Sequence, residues 1–512
     1  MGNVRPWVKI FLTMLVIGAC AYGILYLKNN NILGISGGSS DNKTGGGGLF
    51  GKTPVYTVGV NTYAGFTPIV WLNGGLKPND ESIIAKEYGV KLNIVIQDDF
   101  IAGRNGLKKG EIDMIYCTVD ALPTEMSESG DMTDMRHFML LNWSRGADAI
   151  VVNKYINTIA DLKGKKIAVA EGTAAHTLLI NTLDANAISP DEIQMVKVEN
   201  GIEAAEMFKA KRVDACVTWS PDDIDCIENV QGAKILINTK QATHIICDGM
   251  IAKQEFLEKH ETDAVKIVSA ILYANSKMND DPNTVKEASK IFAKAFGTDE
   301  AFCEEGVKNI RFATLGDQLN FYGLDSGYTG VKGDDLYSKM ARVYESLKLT
   351  RKPLAWRRVS HPAIVEKVEK SGNVRGDQTP EGGTTFAKAS PETEKKQAIS
   401  NKKVTINFGV NESLLTNDAK MTIDSEFASI AKEFSGARIR VEGNTDNTGN
   451  YASNVDLSKR RAQAVVDYLI KEYNFDRNRF LVAGNGPKHA VEDGVNGSNI
   501  NYRTTDFQLI AE

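Results

Sequence analysis

Asp446 and Arg461 are the two residues of this chain whose types and spacing best suit shared chemistry. Asp446 sits in the polar stretch GNTDNTGN (Gly443–Asn450), which reads as a turn. Arg461 lies on the run YASNVDLSKRRAQAVVDYL, which reads as the helix that follows. Asn454 and Arg461 are seven positions apart, so a helix sets them on one face. A turn carboxylate beside a fixed guanidinium can hold a small zwitterion. The acid takes an ammonium, and the arginine fork takes a carboxylate through two parallel hydrogen bonds.

The same run closely resembles the OmpA-like peptidoglycan-binding domain, whose signature reads TD, then G, then N-x-x-LS-x-x-RA-x-x-V-x-x-YL. The matching positions are Asp446 and Arg461, with Asn454 and Leu457 between them. The resemblance implies that Asp446 and Arg461 grip the diaminopimelate of a wall stem peptide, which makes peptidoglycan the expected partner. It also implies that Arg503, in the closing NYRTTDFQLI, supplies one of the two arginines the family carries there. The other is replaced by Tyr502 or Thr504, and Asn444 stands where the family often has His.

The elements that must position this pair form a unit over 403–512. It opens on VTINFGVNESLLT and continues through a helix at Asp418–Phe434, a strand at Ala437–Glu442, the signature and a last strand. An α+β domain of its own is expected. Before it, residues 371–402 are polar and dotted with Gly and Pro, and read as a linker.

From 54 to 370 short apolar strands alternate with helical segments. Examples are Tyr56–Val60, Leu92–Ile96, Met114–Tyr116, Ala149–Val152, Lys166–Val169 and Ile245–Cys247. Such alternation predicts an α/β fold of mainly parallel sheets, and the length predicts two lobes, the second over about 152–245. This region resembles a type II periplasmic solute-binding protein of the nitrate, sulfonate, taurine and pyrimidine-precursor group of ABC-transporter receptors. The likeness is carried by YTVGVNTYAGFTP, LKKGEIDMIYCTVDALP, DAIVVNKYINTIADLKGKKIAVAEGTAAHTLL and RVDACVTWSPDD. It implies a small-molecule solute and an ABC permease as partners.

In such a receptor the solute occupies the crevice at the carboxyl ends of strands. Tyr63 and Phe66 are then candidate walls. Thr173, Ala174 and His176, after Gly172, open a helix whose free N–H groups could take an anion, a reading compatible with Thr173 capping the helix, while a histidine such as His176 is more often structural or solvated than a ligand contact. Trp219 could stack on a flat or cationic solute or pack at a lobe edge. Asp120, Asp222, Asp223 and Asp248 lean towards an amine-bearing ligand, against the plain reading of solvated loop acids.

The rest of the chain sets limits. A net charge of −5 over 512 residues argues against a nucleic-acid partner. Six histidines without H-E-x-x-H, and six cysteines without C-x-x-C, predict no metal and no cofactor. No nucleophile elbow appears, so no catalysis is expected. Gly46–Thr53 fits the phosphate-loop pattern but follows a polar linker and runs into Pro54, so no nucleotide site is read there. Small buried thiols are the favoured reading of the cysteines, with a Cys216–Cys226 or Cys216–Cys247 bridge as the alternative.

Arg5 and Lys9 precede an uncharged, mostly apolar run, Ile10–Leu27, closed by Lys28. Its length is about the minimum for a bilayer span, and the preceding positive residues put the N-terminus in the cytoplasm. One transmembrane anchor over 1–28 and a Gly/Ser/Asn-rich linker over 29–53 are therefore expected, in the inner membrane with the bulk in the periplasm. Ile17-Gly18-Ala19-Cys20 leaves a lipoprotein anchored through Cys20 as the alternative. A stator-type channel is disfavoured because the run carries no Asp or Glu. Two functions stay in view: a wall-tethered solute receptor, or a scaffold linking membrane to peptidoglycan with the binding fold as a docking module.

Overall fold

The computed structural model describes residues 53–128, 130–409 and 411–510. The expected span and nearly all of the first tether lie outside them. Among the described residues no helix is long and apolar enough to cross a membrane.

The strands in chain order are β1 (Val55–Val60), β2 (Lys91–Ile96), β3 (Met114–Thr118), β4 (Met135–Ser144), β5 (Asp148–Val152), β6 (Lys166–Ala170), β7 (Gln194–Val198) and β8 (Ala215–Trp219). They continue as β9 (Lys234–Asn238), β10 (Cys247–Lys253), β11 (Ile310–Phe312), β12 (Ser400–Val404), β13 (Arg438–Asn444), β14 (Phe480–Gly486) and β15 (Thr505–Ile510). Three sheets result, ordered β11-β4-β10-β3-β1-β2, β7-β6-β8-β5-β9 and β12-β15-β13-β14. The first two are the two expected lobes. The chain crosses from one to the other between β4 and β5 and returns between β9 and β10.

Two strands escaped the sequence reading, and a third was misplaced. β4 and β10 are buried on both faces, so neither shows the alternation that marks a half-exposed strand. β10 starts at Cys247, where the sequence suggested a strand ending, and β11 is only three residues long.

The third sheet carries the helix Tyr451–Tyr473, capped by Asn450, whose side chain accepts the Ser453 N–H. Ile439 and Val441 face that helix and its neighbour at Asn417–Glu433, while Arg440 and Glu442 face away. The apolar residues of this unit join those of the second lobe in one cluster, in which Ile245, Ile246, Phe427 and Phe434 are all buried. Backbone bonds stitch the contact: His244 N–H to the Glu433 carbonyl at 3.1 Å, and Gly436 N–H to the Gln241 carbonyl at 3.2 Å.

Residues 371–402, read as a flexible linker, are held along their length. Gly316 N–H donates to the Gln378 carbonyl at 3.0 Å, Glu381 pairs with Arg145, Arg438 donates to the Ala387 carbonyl at 2.9 Å, and β12 begins at Ser400. Gly and Pro content reports local backbone freedom; tertiary contacts have removed it here.

Candidate functional site

The seam between the lobes is built by the ends of β3, β4, β5 and β10. Asp248 on β10 stands cross-strand from Thr118 on one side and Asn142 on the other. Asp120 follows β3 by two residues, and Asp148 opens β5 at the crossing between lobes. Asp120 is 0% exposed, and Asp148 and Asp248 are each 8% exposed.

Burial is the main influence on all three acids. It pushes Asp120 up to about 7, with Asp148 adding to the rise and the nearby Thr177 hydroxyl opposing it. Asp148 is pushed up to about 6, its Ser144 hydrogen bond working against burial and Asp223 with it. Asp248 rises well above the carboxylate range through burial, then through repulsion from Asp148 and Asp120. Neither carboxylate oxygen of Asp120 has a hydrogen-bond partner of normal geometry, and both amide atoms of the buried Asn142 are likewise unpartnered. The Tyr63 hydroxyl belongs to the same group: burial, then Asp248 and Asp148, raises it well above its ordinary value.

Asp148 is tied into the crossing itself. Ser144 Oγ donates to its Oδ2 at 2.7 Å, the Ser144 and Thr239 hydroxyls lie 2.7 Å apart, and Thr239 Oγ1 accepts the Gly146 N–H at 2.7 Å. The nearby Arg145 is engaged elsewhere, by Glu381 and the Thr243 carbonyl. Among the described residues, no lysine or arginine forms an ion pair with Asp120, Asp148 or Asp248.

Other sequence candidates fall elsewhere. Phe66, expected as a wall, is fully buried in the first lobe behind Tyr63 and edge-on to Tyr116, because the 3-10 turn Ala64–Phe66 points it inward. His176 is buried, accepts the Gly172 N–H at 3.3 Å on Nδ1, and stacks on Tyr344. Burial pulls it down to about 4, so it is neutral. Thr173 donates to the Ala170 carbonyl at 2.8 Å and caps nothing with its side chain, and Ala174 is half-buried beside it. The Trp219 ring lies flat enough on Gly201 that a Cβ there would come within 2.5 Å of it. Asp222 is held near Lys209 and Asp225, whereas the neighbouring Asp223 is buried and couples to Asp148. Asn142 and Asp148 were missing from the sequence choice because strand ends look alike whether they face a seam or solvent.

In the third sheet's unit, Asp446 is 4% exposed. Its Oδ1 accepts from Thr448, and its Oδ2 accepts from Arg503 Nε at 2.7 Å and the Asn499 N–H at 3.2 Å. Burial works to raise this carboxyl, but the Thr448, Arg503 and Asn499 bonds outweigh it and hold it below its ordinary value. Asn454 Nδ2 donates to the Thr448 carbonyl at 2.7 Å and so pins the turn, with Leu457 half-buried one helical turn on. Arg461 does not pair with Asp446. Its Nε donates to the Glu412 carbonyl at 2.9 Å, its Nη2 to the Gly409 carbonyl at 3.2 Å, and its guanidinium lies over Phe408.

Glu442, His489 and Asp506 come within 4.8 Å of one another in a set that could suit a metal. Amides already serve two of them: Asn485 and Gln508 donate to Glu442 at 3.1 and 3.2 Å, and Asn444 donates to Asp506 at 3.0 Å. The five described cysteines are free and buried, with Cys216 and Cys226 sulfurs 4.0 Å apart.

Comparison with known proteins agrees with this division. Residues 407–503 match the OmpA family, and residues 145–285 match the family described as NMT1/THI5 like. A protein of Brucella abortus (strain 2308), provisionally named a binding protein, is 26% identical over 170 residues, 33% of this chain and 52% of its own length. Outer membrane porin F of Pseudomonas aeruginosa is 38% identical over 78 residues, 15% of this chain and 22% of the porin. Among solved structures, the periplasmic aliphatic sulphonate binding protein of Escherichia coli aligns at 17% identity and TM-score 0.48, over 60% of this chain and 96% of that one. The chain spans about half the length of the binding-protein relatives it matches. The NMT1/THI5-like match thus falls within the two-lobed region and the OmpA match within the third sheet's unit.

Proposed function

We propose that this chain, an NMT1/THI5-like domain joined to an OmpA-family domain, is a solute receptor of the bacterial periplasm tethered to the cell wall. Its lobes close on a small solute and present it to an ABC-type permease. Its OmpA domain holds peptidoglycan through Asp446, Arg461 and Arg503, and the apolar run Ile10–Leu27 anchors it in the inner membrane.

One observation carries the receptor reading. Side chains without hydrogen bonds of normal geometry, those of Asp120 after β3 and Asn142 on β4, are buried at the seam where the two lobes meet. Buried polar groups cost free energy unless something completes their bonding, and a solute enclosed by closing lobes would do so. Names given to relatives point the same way: one from Brachyspira hyodysenteriae is a provisional ABC transporter periplasmic binding protein. Holding the receptor between wall and membrane raises its effective concentration near a membrane partner.

The scaffold reading draws on a different feature, the apolar cluster shared by the second lobe and the OmpA unit. Native mass spectrometry of the detergent-solubilised full chain separates the two. A small molecule released on denaturation supports the receptor. A chain that carries none, and unfolds at the same temperature with every amine, amino acid and sulfonate tried, leaves the scaffold.

A further inference from the structure

We infer that the solute held between the lobes is a cationic amine, received by Asp120, Asp148 and Asp248 with Asn142 and Tyr63 as neutral partners. This rests on the receptor reading above and narrows it to a class of ligand.

The charge balance comes first. Three carboxylates, from β5, β10 and the turn after β3, are gathered into a place that water barely reaches, and among the described residues no lysine or arginine forms an ion pair with them. An enclosed carboxylate is tolerated when it is protonated or when an opposite charge is brought to it. An amine supplies that charge, along with N–H donors for the unpartnered oxygens of Asp120.

Asn142 is an independent sign. It is 0% exposed, it is no acid, and neither its amide oxygen nor its amide nitrogen has a hydrogen bond of normal geometry, although it lies cross-strand from Asp248, whose pKa it helps to lower, and beside Tyr63 and Gly65. Its carbonyl can accept from the same ammonium, and its NH₂ can donate to a second polar atom of the solute.

An anion fits poorly at the same place. It would face three carboxylates and no guanidinium, and the nearby start of the helix Ala174–Asp184 has the Gly172 N–H already bound to His176. Position also matters. Asp120 and Asp248 belong to the first lobe, while Asp148 is fixed to the crossing by Ser144 beside Thr239. A cation shared by these acids would draw the lobes towards each other, so binding and closure are one event.

Titration calorimetry on the detergent-solubilised full chain at pH of about 7.5 tests this, with 1,4-diaminobutane, L-lysine and choline as cationic probes and ethanesulfonate as the anion. At least one amine is expected to bind, with affinity reduced at least tenfold in Asp120→Asn and in Asp248→Asn and unchanged in Asp225→Asn, which lies outside the seam. Circular dichroism of each isosteric variant checks that it is folded, and native mass spectrometry of the parent chain reads the bound amine without any substitution. Ethanesulfonate binding with all amines silent would overturn the inference while leaving the receptor standing. Silence from all four probes, with no co-purified solute, would overturn both.

Discussion

Arg503 holds Asp446: its Nε and Nη2 both reach the same carboxylate oxygen at 2.7 Å, while Arg461 turns instead to the carbonyls of Gly409 and Glu412. The two arginines are close enough that Arg503 helps burial to lower the Arg461 pKa. A nearly buried carboxylate therefore sits with one guanidinium on it and a second within electrostatic range. A ligand ammonium would compete with Arg503 for Asp446, and a ligand carboxylate would be offered both guanidinium groups.

Substitution at these arginines should separate fold from binding. Arg503→Ala leaves Asp446 with only Thr448 and the Asn499 N–H. The expected cost is about 1 kcal/mol, near the top of the range for exposed ion pairs and below that for buried charged hydrogen bonds, since about half of the Arg503 side chain is exposed. Arg461→Ala should weaken co-sedimentation with purified sacculi at least as much while costing less stability. Thermal unfolding and sacculus binding measured on both variants check this, and wild-type sacculus binding by both would remove these residues from the wall site.

The seam acids set a pH dependence of known sign. The folded-state pKa of Asp120 is raised to about 7 and that of Asp148 to about 6. Their contribution to the ligand-free protein is fully present below the unfolded value near 3.9. It is lost as pH rises through about 6 and then 7, on the order of a few kcal/mol in total. Glu381, held low by Arg145 and His244 against its burial, works in the opposite sense and loses its contribution in acid. The difference between parent and Asp120→Asn isolates the seam. Urea unfolding should show the variant gaining stability over the parent as pH climbs from about 5 to 8, and a constant difference would mean that Asp120 does not titrate there. An amine ligand should bind more tightly over the same climb, because binding favours the ionised acids.

The cysteines give a simpler expectation. All five described thiols are buried, and burial raises Cys117 and Cys247 well above the ordinary thiol value. Thiolate is the reactive form, so a maleimide should label them slowly in the native protein and fully in denaturant. Cys216 and Cys226, 4.0 Å apart, are the pair to examine by mass spectrometry for a bridge after mild oxidation.

How far the sequence could be read depended on whether a feature was local. The signature helix was legible from spacing, and its Asn450 cap and Asn454 lie where a turn-to-helix junction needs them. Strands with exposed flanks, such as β2, also announced themselves. β4 did not, because a strand buried on both faces looks like any apolar run. Asp148 was hidden for a related reason: it stands at the head of DAIVV, and nothing local distinguishes a strand end facing a lobe seam from one facing water. The hold of Arg503 on Asp446 was not legible, because Arg503 lies far from the signature in sequence and arrives on the approach to β15, fixed by the pairing of β15 with β13.

The contacts of the OmpA unit with the two-lobed region, at the helix Gly333–Ser346 and at the second lobe, make the last prediction. Glu433 accepts from Lys339 Nζ at 2.9 and 2.8 Å and from Ser429 at 2.9 Å, in a place where Glu433 is buried and Lys339 mostly so. Its backbone carbonyl holds His244 N–H, and the neighbouring Ser435 hydroxyl meets Thr243, so the contact lands on the strand connection that returns between the lobes. Removing one partner of a buried pair strands the other charge, so Glu433→Ala and Lys339→Ala should each cost about 1–3 kcal/mol. A double-mutant cycle should give a coupling of at least about 0.5 kcal/mol. If the docking also restrains residues 371–402, trypsin should cut that segment faster in Glu433→Ala than in the parent. Unchanged cleavage together with zero coupling would mean that the OmpA unit moves independently of the lobes. Coupling with faster cleavage would mean that this contact restrains both the OmpA unit and residues 371–402.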